Sequence, residues 1–172
     1  MSGLGAHAKI EGFLFIPVIS ISNALSTFVS QNLGAGKKER AKKGAWLGSV
    51  VAIVMASILG TVMYVLAPQL IRIFTAEEQA VEYGVTFMRI VTVFYLFLTF
   101  SHEATGILRG LGKSVIPMLG MFGFWCVGRF LYVTIALKIS YDFKVICWAY
   151  PLTWICTTIM FGVILISQPF EI

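Results

Sequence analysis

Five long apolar segments, separated by short polar ones, dominate the pattern of hydrophobic positions along the chain. The longest of them, Gly44–Ile71, has no Asp, Glu, Lys or Arg. A helix of about 20 apolar residues crosses the hydrocarbon core of a bilayer, whereas a helix on the surface of a soluble protein needs a polar face. The pattern predicts five transmembrane helices, at about Gly12–Gln31, Gly44–Ile71, Tyr83–Leu108, Ser114–Leu137 and Val145–Ser167.

Composition supports a membrane protein, because 58% of the 172 residues are hydrophobic and only 12% are charged. Lipid offers no hydrogen-bond partners to the backbone, so spanning segments form either helices or closed barrels. Barrel strands would be about ten residues long, with alternating polar and apolar positions. The apolar segments here are long and apolar on all sides. The sequence therefore predicts an all-α, polytopic membrane protein.

Charge placement predicts how the chain lies in the membrane. The segment between the first two predicted helices is basic, and Arg109 and Lys113 occupy the turn between the third and fourth. By the positive-inside rule these segments face the cytoplasm of a multi-pass protein in the cell membrane, and the C-terminal Gln168–Ile172 is cytoplasmic too. The N-terminus is then outside, which favours at least one helix before this chain. Basic loops of this kind orient membrane proteins, so we expect no nucleic-acid partner.

Four polar residues, Ser20, Asn23, Thr27 and Ser30, recur at intervals of three or four positions along the first predicted helix. This spacing places them on one face, with Ser26 as an alternative to Thr27. Two interpretations stay open. The face packs against other helices through small side chains and hydrogen bonds, or it lines a water-filled substrate cavity.

Three ionisable residues interrupt the apolar segments. Such groups are costly inside a membrane and often mark ion or proton pathways. Glu103 and His102, in the third predicted helix, have two interpretations. They hydrogen-bond to a neighbouring helix or reach the inner interface, or they are candidates for ion coupling, with Glu103 exchanging a proton or binding a cation during transport. Arg129, in the fourth, is expected to face protein or water and to pair with a carboxylate from a neighbouring helix.

Motifs for enzyme chemistry are absent from the sequence. Gly106–Ser114 resembles a P-loop, but it has the spacing G-x5-G-K-S where that motif requires G-x4-G-K-[ST]. We find no HExxH motif, no catalytic triad spacing and no aqueous carboxylate pair, and the cysteines lack metal-ligand spacing. The sequence therefore predicts neither an enzyme nor a metal or cofactor site.

Several segments resemble one known transporter family. Ala24–Gly36, which reads ALSTFVSQNLGAG, and the basic run Lys37–Lys43 that follows it are similar to a signature of the multidrug and toxic compound extrusion (MATE) family. Gly106–Met118 and Tyr150–Trp154 match further motifs of the same family in the same order. The likeness extends over nearly the whole chain.

The resemblance implies a transporter of twelve helices, arranged as two six-helix lobes around a central cavity. Residues 1–172 would supply the eighth to twelfth helices, as a partial C-terminal transmembrane lobe that includes most of the second six-helix lobe. Family members export organic, often cationic, compounds in exchange for H+ or Na+. The implied partners are membrane lipids, small organic cations, the coupling ion and the missing N-terminal lobe. Leu98 stands where some members carry an acidic residue, and Glu103 lies nearer the cytoplasm than that position.

Two other hypotheses stay open. A flippase-like transporter of lipid-linked oligosaccharides would have a similar helix arrangement, but its cavity would be strongly basic, and Arg129 is the intramembrane cation that the sequence places here. A non-transporting membrane subunit that scaffolds a partner would fit the short length of the chain.

Overall fold

The computed structural model describes residues 3–139 and 142–167, and every regular element within these ranges is helical. A π-helical segment, Phe122–Gly128, joins α6 to α7 without interruption. The predicted all-α fold is therefore confirmed. In chain order the α-helices are α1 (Gly3–Gly34), α2 (Lys38–Val65), α3 (Ala67–Arg72), α4 (Glu78–Thr92), α5 (Tyr95–Gly110), α6 (Val115–Met121), α7 (Arg129–Ile139), α8 (Phe143–Cys147) and α9 (Ala149–Ser167).

Four helical stretches in the described part of the chain are long and apolar enough to cross a membrane: Gly3–Gly34, Lys38–Val65, Val115–Ile139 and Phe143–Ser167. A fifth span is obtained when α4 and α5 are counted together, although they are bent by 56° across a short break. The five predicted transmembrane helices are confirmed as these four stretches and the bent pair.

Several boundaries differ from the prediction. α1 begins at Gly3 rather than near Gly12. The residues before Gly12 include polar side chains, which end the apolar pattern but do not prevent a helix. The second predicted helix is interrupted at Leu66, and α3 starts there with Pro68 in its first turn. Proline has no backbone N–H, so it suits the first turn of a helix, where that N–H would have no partner within the helix. The predicted cytoplasmic segment Gln168–Ile172 lies outside the described residues.

α5 is the central helix of the bundle, and it packs against α1, α2, α6 and α9. Ten of its sixteen residues are buried. The Val115–Ile139 stretch, by contrast, lies at the periphery, and its π-helical part has no buried residue. Buried polar groups on α5 are therefore surrounded by protein, whereas polar groups on the peripheral stretch have only one or two neighbouring helices as partners.

Glycines allow α5 to approach α1 closely. A Cβ atom on Gly106 would overlap the carbonyl group of Ser22, and one on Gly110 would lie 2.8 Å from the carbonyl oxygen of Ser26. Small residues at such positions let two membrane helices pack backbone to backbone, where van der Waals contact is most extensive. The contact holds the polar face of α1 in a defined orientation relative to α5.

We expect Gly106→Ala to lower the stability of the bundle by about 1–3 kcal/mol, since the new methyl group must push α1 and α5 apart. Thermal unfolding in detergent, followed by circular dichroism, measures this loss. Gly162→Ala is the matched control, because a Cβ atom there meets nothing within 4 Å. The control should keep or raise stability, by about 0.5–1 kcal/mol, as alanine favours a helix. Equal effects of the two substitutions would contradict the assigned packing.

Candidate functional site

The predicted polar face of α1 is exposed. Ser20, Asn23, Thr27 and Ser30 all lie on the side of α1 that the described helices leave uncovered. Three of the hydroxyl groups donate hydrogen bonds to carbonyl oxygens of their own helix, at 2.7 Å for Ser20, 3.2 Å for Thr27 and 3.0 Å for Ser30. The hydroxyl groups of this face are thus satisfied within α1, and the face can meet water, lipid or a further protein segment.

A buried serine outside this face ties α1 to α5. Ser22 donates a hydrogen bond from its hydroxyl to the backbone carbonyl of His102. The Arg109 guanidinium donates to the side-chain oxygen of Asn23 at 3.1 Å and reaches the hydroxyl of Ser22 at 3.5 Å. The spacing that identifies the exposed face does not include Ser22. The role of Ser22 depends on which side of α1 the neighbouring helix covers.

Glu103 lies inside the bundle. Its side chain is 0% exposed, and neither carboxylate oxygen has a hydrogen-bond partner in the structure. Thr99, one helical turn earlier, is also 0% exposed, and its hydroxyl likewise has no partner. Buried polar side chains are nearly always hydrogen-bonded, so two unpartnered ones on one face of a helix require an explanation beyond packing.

His102 does not join Glu103 in one site. Adjacent residues of a helix point about 100° apart, and the His102 ring lies between two aromatic rings at 5.5 Å each, Phe15 of α1 and Trp125 of the π-helical segment. Its Nε2 atom has no hydrogen-bond partner. The two residues that the sequence suggested for ion coupling therefore occupy different environments.

Arg129 is held mainly by α9. Its guanidinium donates a hydrogen bond to the Thr153 hydroxyl at 3.1 Å and lies 4.0 Å from the centroid of the Tyr150 ring. The direct contacts of Arg129 thus come from a hydroxyl and an aromatic ring. Pairing with a carboxylate from a neighbouring helix stays a prediction.

A second contact binds the π-helical segment to α9. The Trp125 indole N–H donates to the Thr157 hydroxyl at 3.1 Å, four residues from the Arg129–Thr153 pair on each helix. The two threonines lie one turn apart, so both bonds fall on one face. Threonines four positions apart in an apolar segment are the sequence signal for this interface.

A buried polar contact lies near the start of α1. His7 is 2% exposed, and its Nε2 atom lies 3.3 Å from the Tyr95 hydroxyl of α5, whose side chain is only 1% exposed. Glu11 follows His7 by one helical turn, so both lie on the same face of α1. The four-residue interval between His7 and Glu11 is the sequence signal for this polar face.

The chemistry available to these residues is that of single carboxylates. Within residues 3–139 and 142–167, no group of three or more His, Cys, Asp and Glu side chains could hold a metal ion. Glu103 is fully enclosed without a hydrogen-bond partner, so a proton or cation that neutralised it would lower the cost of its burial.

Comparison with known proteins identifies the family. A family model described as MatE matches residues 1–134. The chain belongs to the MATE family. It is 30% identical over 114 residues to the probable multidrug resistance protein NorM of Thermotoga maritima, covering 66% of this chain and 25% of that protein. It is 27% identical over 126 residues to the probable multidrug resistance protein YpnP of Bacillus subtilis, covering 73% and 28%.

The fold is also that of solved MATE structures. The structure described as the MATE transporter ClbM in complex with Rb+ superposes with a TM-score of 0.86 at 22% identity, over 97% of this chain and 40% of that one. The chain spans about a quarter of the length of the curated MATE relatives named above. These relatives are membrane transporters rather than enzymes, and the apolar helices make this chain a multi-pass membrane protein.

We expect the Tyr150 ring to stabilise the position of Arg129 by about 0.5–2 kcal/mol through a cation–π interaction. Tyr150→Phe, which keeps the ring, should retain most of this energy, and Tyr150→Leu should lose it. A double-mutant cycle with Arg129→Gln, measured by thermal unfolding, isolates the coupling from the other contacts of the ring. A coupling free energy near zero between Tyr150→Leu and Arg129→Gln would show that stacking of the ring on the guanidinium does not contribute to stability.

Proposed function

We propose that this chain works as part of a secondary active MATE exporter, which moves organic, often cationic, compounds across the cell membrane in exchange for H+ or Na+. Its membership of the MATE family and the multidrug resistance proteins among its relatives support the transporter class. The observation that carries the proposal is Glu103, a carboxyl group fully enclosed in the central helix with no hydrogen-bond partner.

Ion-coupled exchange needs a group whose charge changes as the protein changes conformation. A buried, unpaired carboxylate is costly, and the cost falls when the group binds a proton or a cation. If one conformation encloses Glu103 and another opens it to water, ion binding favours the enclosed conformation. A carboxylate already held by several hydrogen bonds would lack this sensitivity. The unpartnered Thr99 hydroxyl on the same face of α5 can supply a further oxygen ligand.

The exposed face of α1 is proposed as one wall of the substrate cavity. Ser20, Asn23, Thr27 and Ser30 offer hydroxyl and amide groups, and exposed apolar side chains such as Ile16 and Ile19 lie on the same side. A mixed surface of this kind suits amphiphilic organic compounds of varied shape. This face carries no formal negative charge, so other parts of the cavity must supply the selection for cations. A partner lobe would supply the opposite wall.

The orientation proposed from charge places the exposed basic residues at the α1–α2 turn, such as Lys37, Lys38 and Arg40, at the cytoplasmic surface of the cell membrane. Arg109 at the end of α5 bonds to Asn23 of α1 and lies toward the same surface in this arrangement. Glu103 is then about 9 Å from Arg109 along the helix axis, in the cytoplasmic half of the bundle.

A lipid-linked oligosaccharide is disfavoured as the cargo. Its phosphate groups require free guanidinium or ammonium groups, which bind them as charge-assisted pairs. Arg129 is engaged by the Tyr150 ring and the Thr153 hydroxyl, on the interior side of its helix. The arrangement therefore favours an organic compound without phosphate groups.

We expect Glu103→Gln to reduce ion-coupled efflux by about 5–150-fold, the factor that corresponds to typical coupling free energies between two sites. The variant should still be expressed. Vesicles that contain the transporter are loaded with a fluorescent organic cation, and efflux is followed under an imposed proton or sodium gradient. Glu82→Gln makes the same chemical change at an exposed position and should leave efflux unchanged.

Two results would contradict the proposal. Wild-type pH and sodium dependence in Glu103→Gln would remove Glu103 from ion coupling. Absence of ion-dependent flux of any organic cation in wild-type vesicles would remove the antiport function itself. Thermal unfolding of the variant separates these from a folding defect, since glutamine preserves the shape of the buried side chain.

A further inference from the structure

One face of α2 carries cations at its start and large apolar side chains along the rest of its length. Arg40 and Lys43 lie in the first two turns, and both are exposed. Residues that follow at intervals of three or four positions share this face, because an α-helix makes one turn in 3.6 residues. The exposed apolar side chains of the row are Leu47, Val51, Val54, Ile58, Val62 and Val65. The two cations and this row form one continuous surface, called here the outer strip of α2.

The opposite face of α2 meets protein. Its buried residues are mostly small and recur at the same helical spacing: Ala41, Ala45, Ala52, Ala56 and Gly60. A Cβ atom on Gly60 would lie 3.5 Å from the Tyr95 ring of α5. Membrane helices associate through small residues that allow close approach, and the outer strip has only long or branched side chains. The outer strip therefore suits the acyl chains of lipid better than another helix.

Two exposed aromatic side chains mark the bilayer interfaces on α2. The rise from Trp46 to Tyr64 is five turns, or about 27 Å, which matches a hydrocarbon core of about 30 Å. Tryptophan and tyrosine are enriched at both membrane interfaces. Lys43 and Arg40 lie about 4.5 Å and 9 Å beyond Trp46 along the axis. The two cations are therefore at the depth of the lipid headgroups.

The two ends of α2 differ in how their cations are partnered. Near the end marked by Tyr64, the Arg89 guanidinium lies over the Tyr64 ring at 5.7 Å from its centroid. Arg40 and Lys43 form no ion pair with any residue of the described ranges. Residues 37–43 hold five cations and one carboxylate, Glu39, so positive charge is in excess at this end. Like charges three or four positions apart on a helix repel each other, and a bound anion relieves that repulsion.

We propose that the outer strip of α2 binds an anionic phospholipid, with its phosphate between Arg40 and Lys43 and an acyl chain along the apolar row. Guanidinium and ammonium groups form charge-assisted hydrogen bonds with phosphate oxygens. A zwitterionic phospholipid brings an ammonium group of its own close to the same cations. The strip therefore prefers a lipid with net negative charge, such as phosphatidylglycerol.

Lipid binding at the outer strip requires neither Glu103 nor the polar face of α1, so it is independent of the proposed transport. In the orientation proposed from charge, the bound lipid belongs to the cytoplasmic leaflet. If vesicle efflux fails while the lipid preference is found, the transport proposal fails and the lipid site stands.

The test is native mass spectrometry of the 172-residue chain in detergent micelles, titrated with phosphatidylglycerol or phosphatidylcholine. We expect the chain to bind phosphatidylglycerol more tightly. Arg40→Gln combined with Lys43→Gln should weaken phosphatidylglycerol binding about 30-fold, the combined effect of two basic residues at an anionic membrane surface. Binding of phosphatidylcholine should stay unchanged.

Two matched variants control for charge and folding. Lys138→Gln combined with Lys144→Gln removes two exposed cations near the α7–α8 connection and should keep the preference for phosphatidylglycerol. Arg40→Lys combined with Lys43→Arg keeps both charges and should also keep it. Thermal unfolding followed by circular dichroism checks that each variant is folded.

Contrary results are equally specific. Equal affinity of the wild-type chain for the two lipids would overturn the proposal, and so would equal loss of binding in the two glutamine variants. Displacement of the lipid by glycerol 3-phosphate would show a site for soluble phosphate esters instead. A lipid-free dimer that Leu47→Arg disrupts would show that the outer strip takes a second copy of the chain.

Discussion

The close packing of α5 against α1 is the contact on which the rest of the structure depends. A bilayer gives buried polar groups no water to bond to, so a helix that carries them must be covered by other helices. Gly106 and Gly110 let α5 approach α1 until their backbones touch, and α2 and α9 cover other sides of α5. This enclosure is what allows Glu103, Thr99 and Tyr95 to lie in protein rather than in lipid.

Polar residues in the bundle divide into two kinds. Many hydroxyl groups, such as those of Ser20, Thr92 and Thr157, donate to a carbonyl oxygen four residues earlier in their own helix. Such groups are satisfied locally and cost little in a membrane. Glu103 and Thr99 have no such partner among the described residues, which makes them candidates for binding a proton, an ion or a water molecule.

α5 of this MATE chain carries Tyr95, which contacts His7 of α1, and the enclosed Glu103. Glu103 lies eight residues after Tyr95, a rise of about 12 Å along the axis. α4 meets α5 at a 56° bend directly before Tyr95, and the π-helical segment contacts the same helix through Trp125 and His102. Two irregular backbone elements in the described part of the chain therefore lie beside the helix that holds these buried polar groups.

The family likeness and the fold class came from local properties of the sequence. Long apolar segments require helices wherever there is no water, and the motif at Ala24–Gly36 is read from adjacent residues. The positions of Glu103 and Arg129 within apolar segments are also read directly from neighbouring residues in the sequence. The break between α4 and α5 was missed, since Val93 and Phe94 are as apolar as the helices they interrupt.

Only the tertiary structure decided which polar residues meet. Ser22 and Ser20 are alike in sequence, yet one bonds to α5 and the other is exposed, because helix packing covers one side of α1. The contacts of Arg129 with Tyr150 and Thr153, and of His7 with Tyr95, join residues from helices far apart in the chain. Hydrophobic length determines that a segment enters the membrane, whereas side-chain partners depend on the rotation and spacing of helices, which are set by packing.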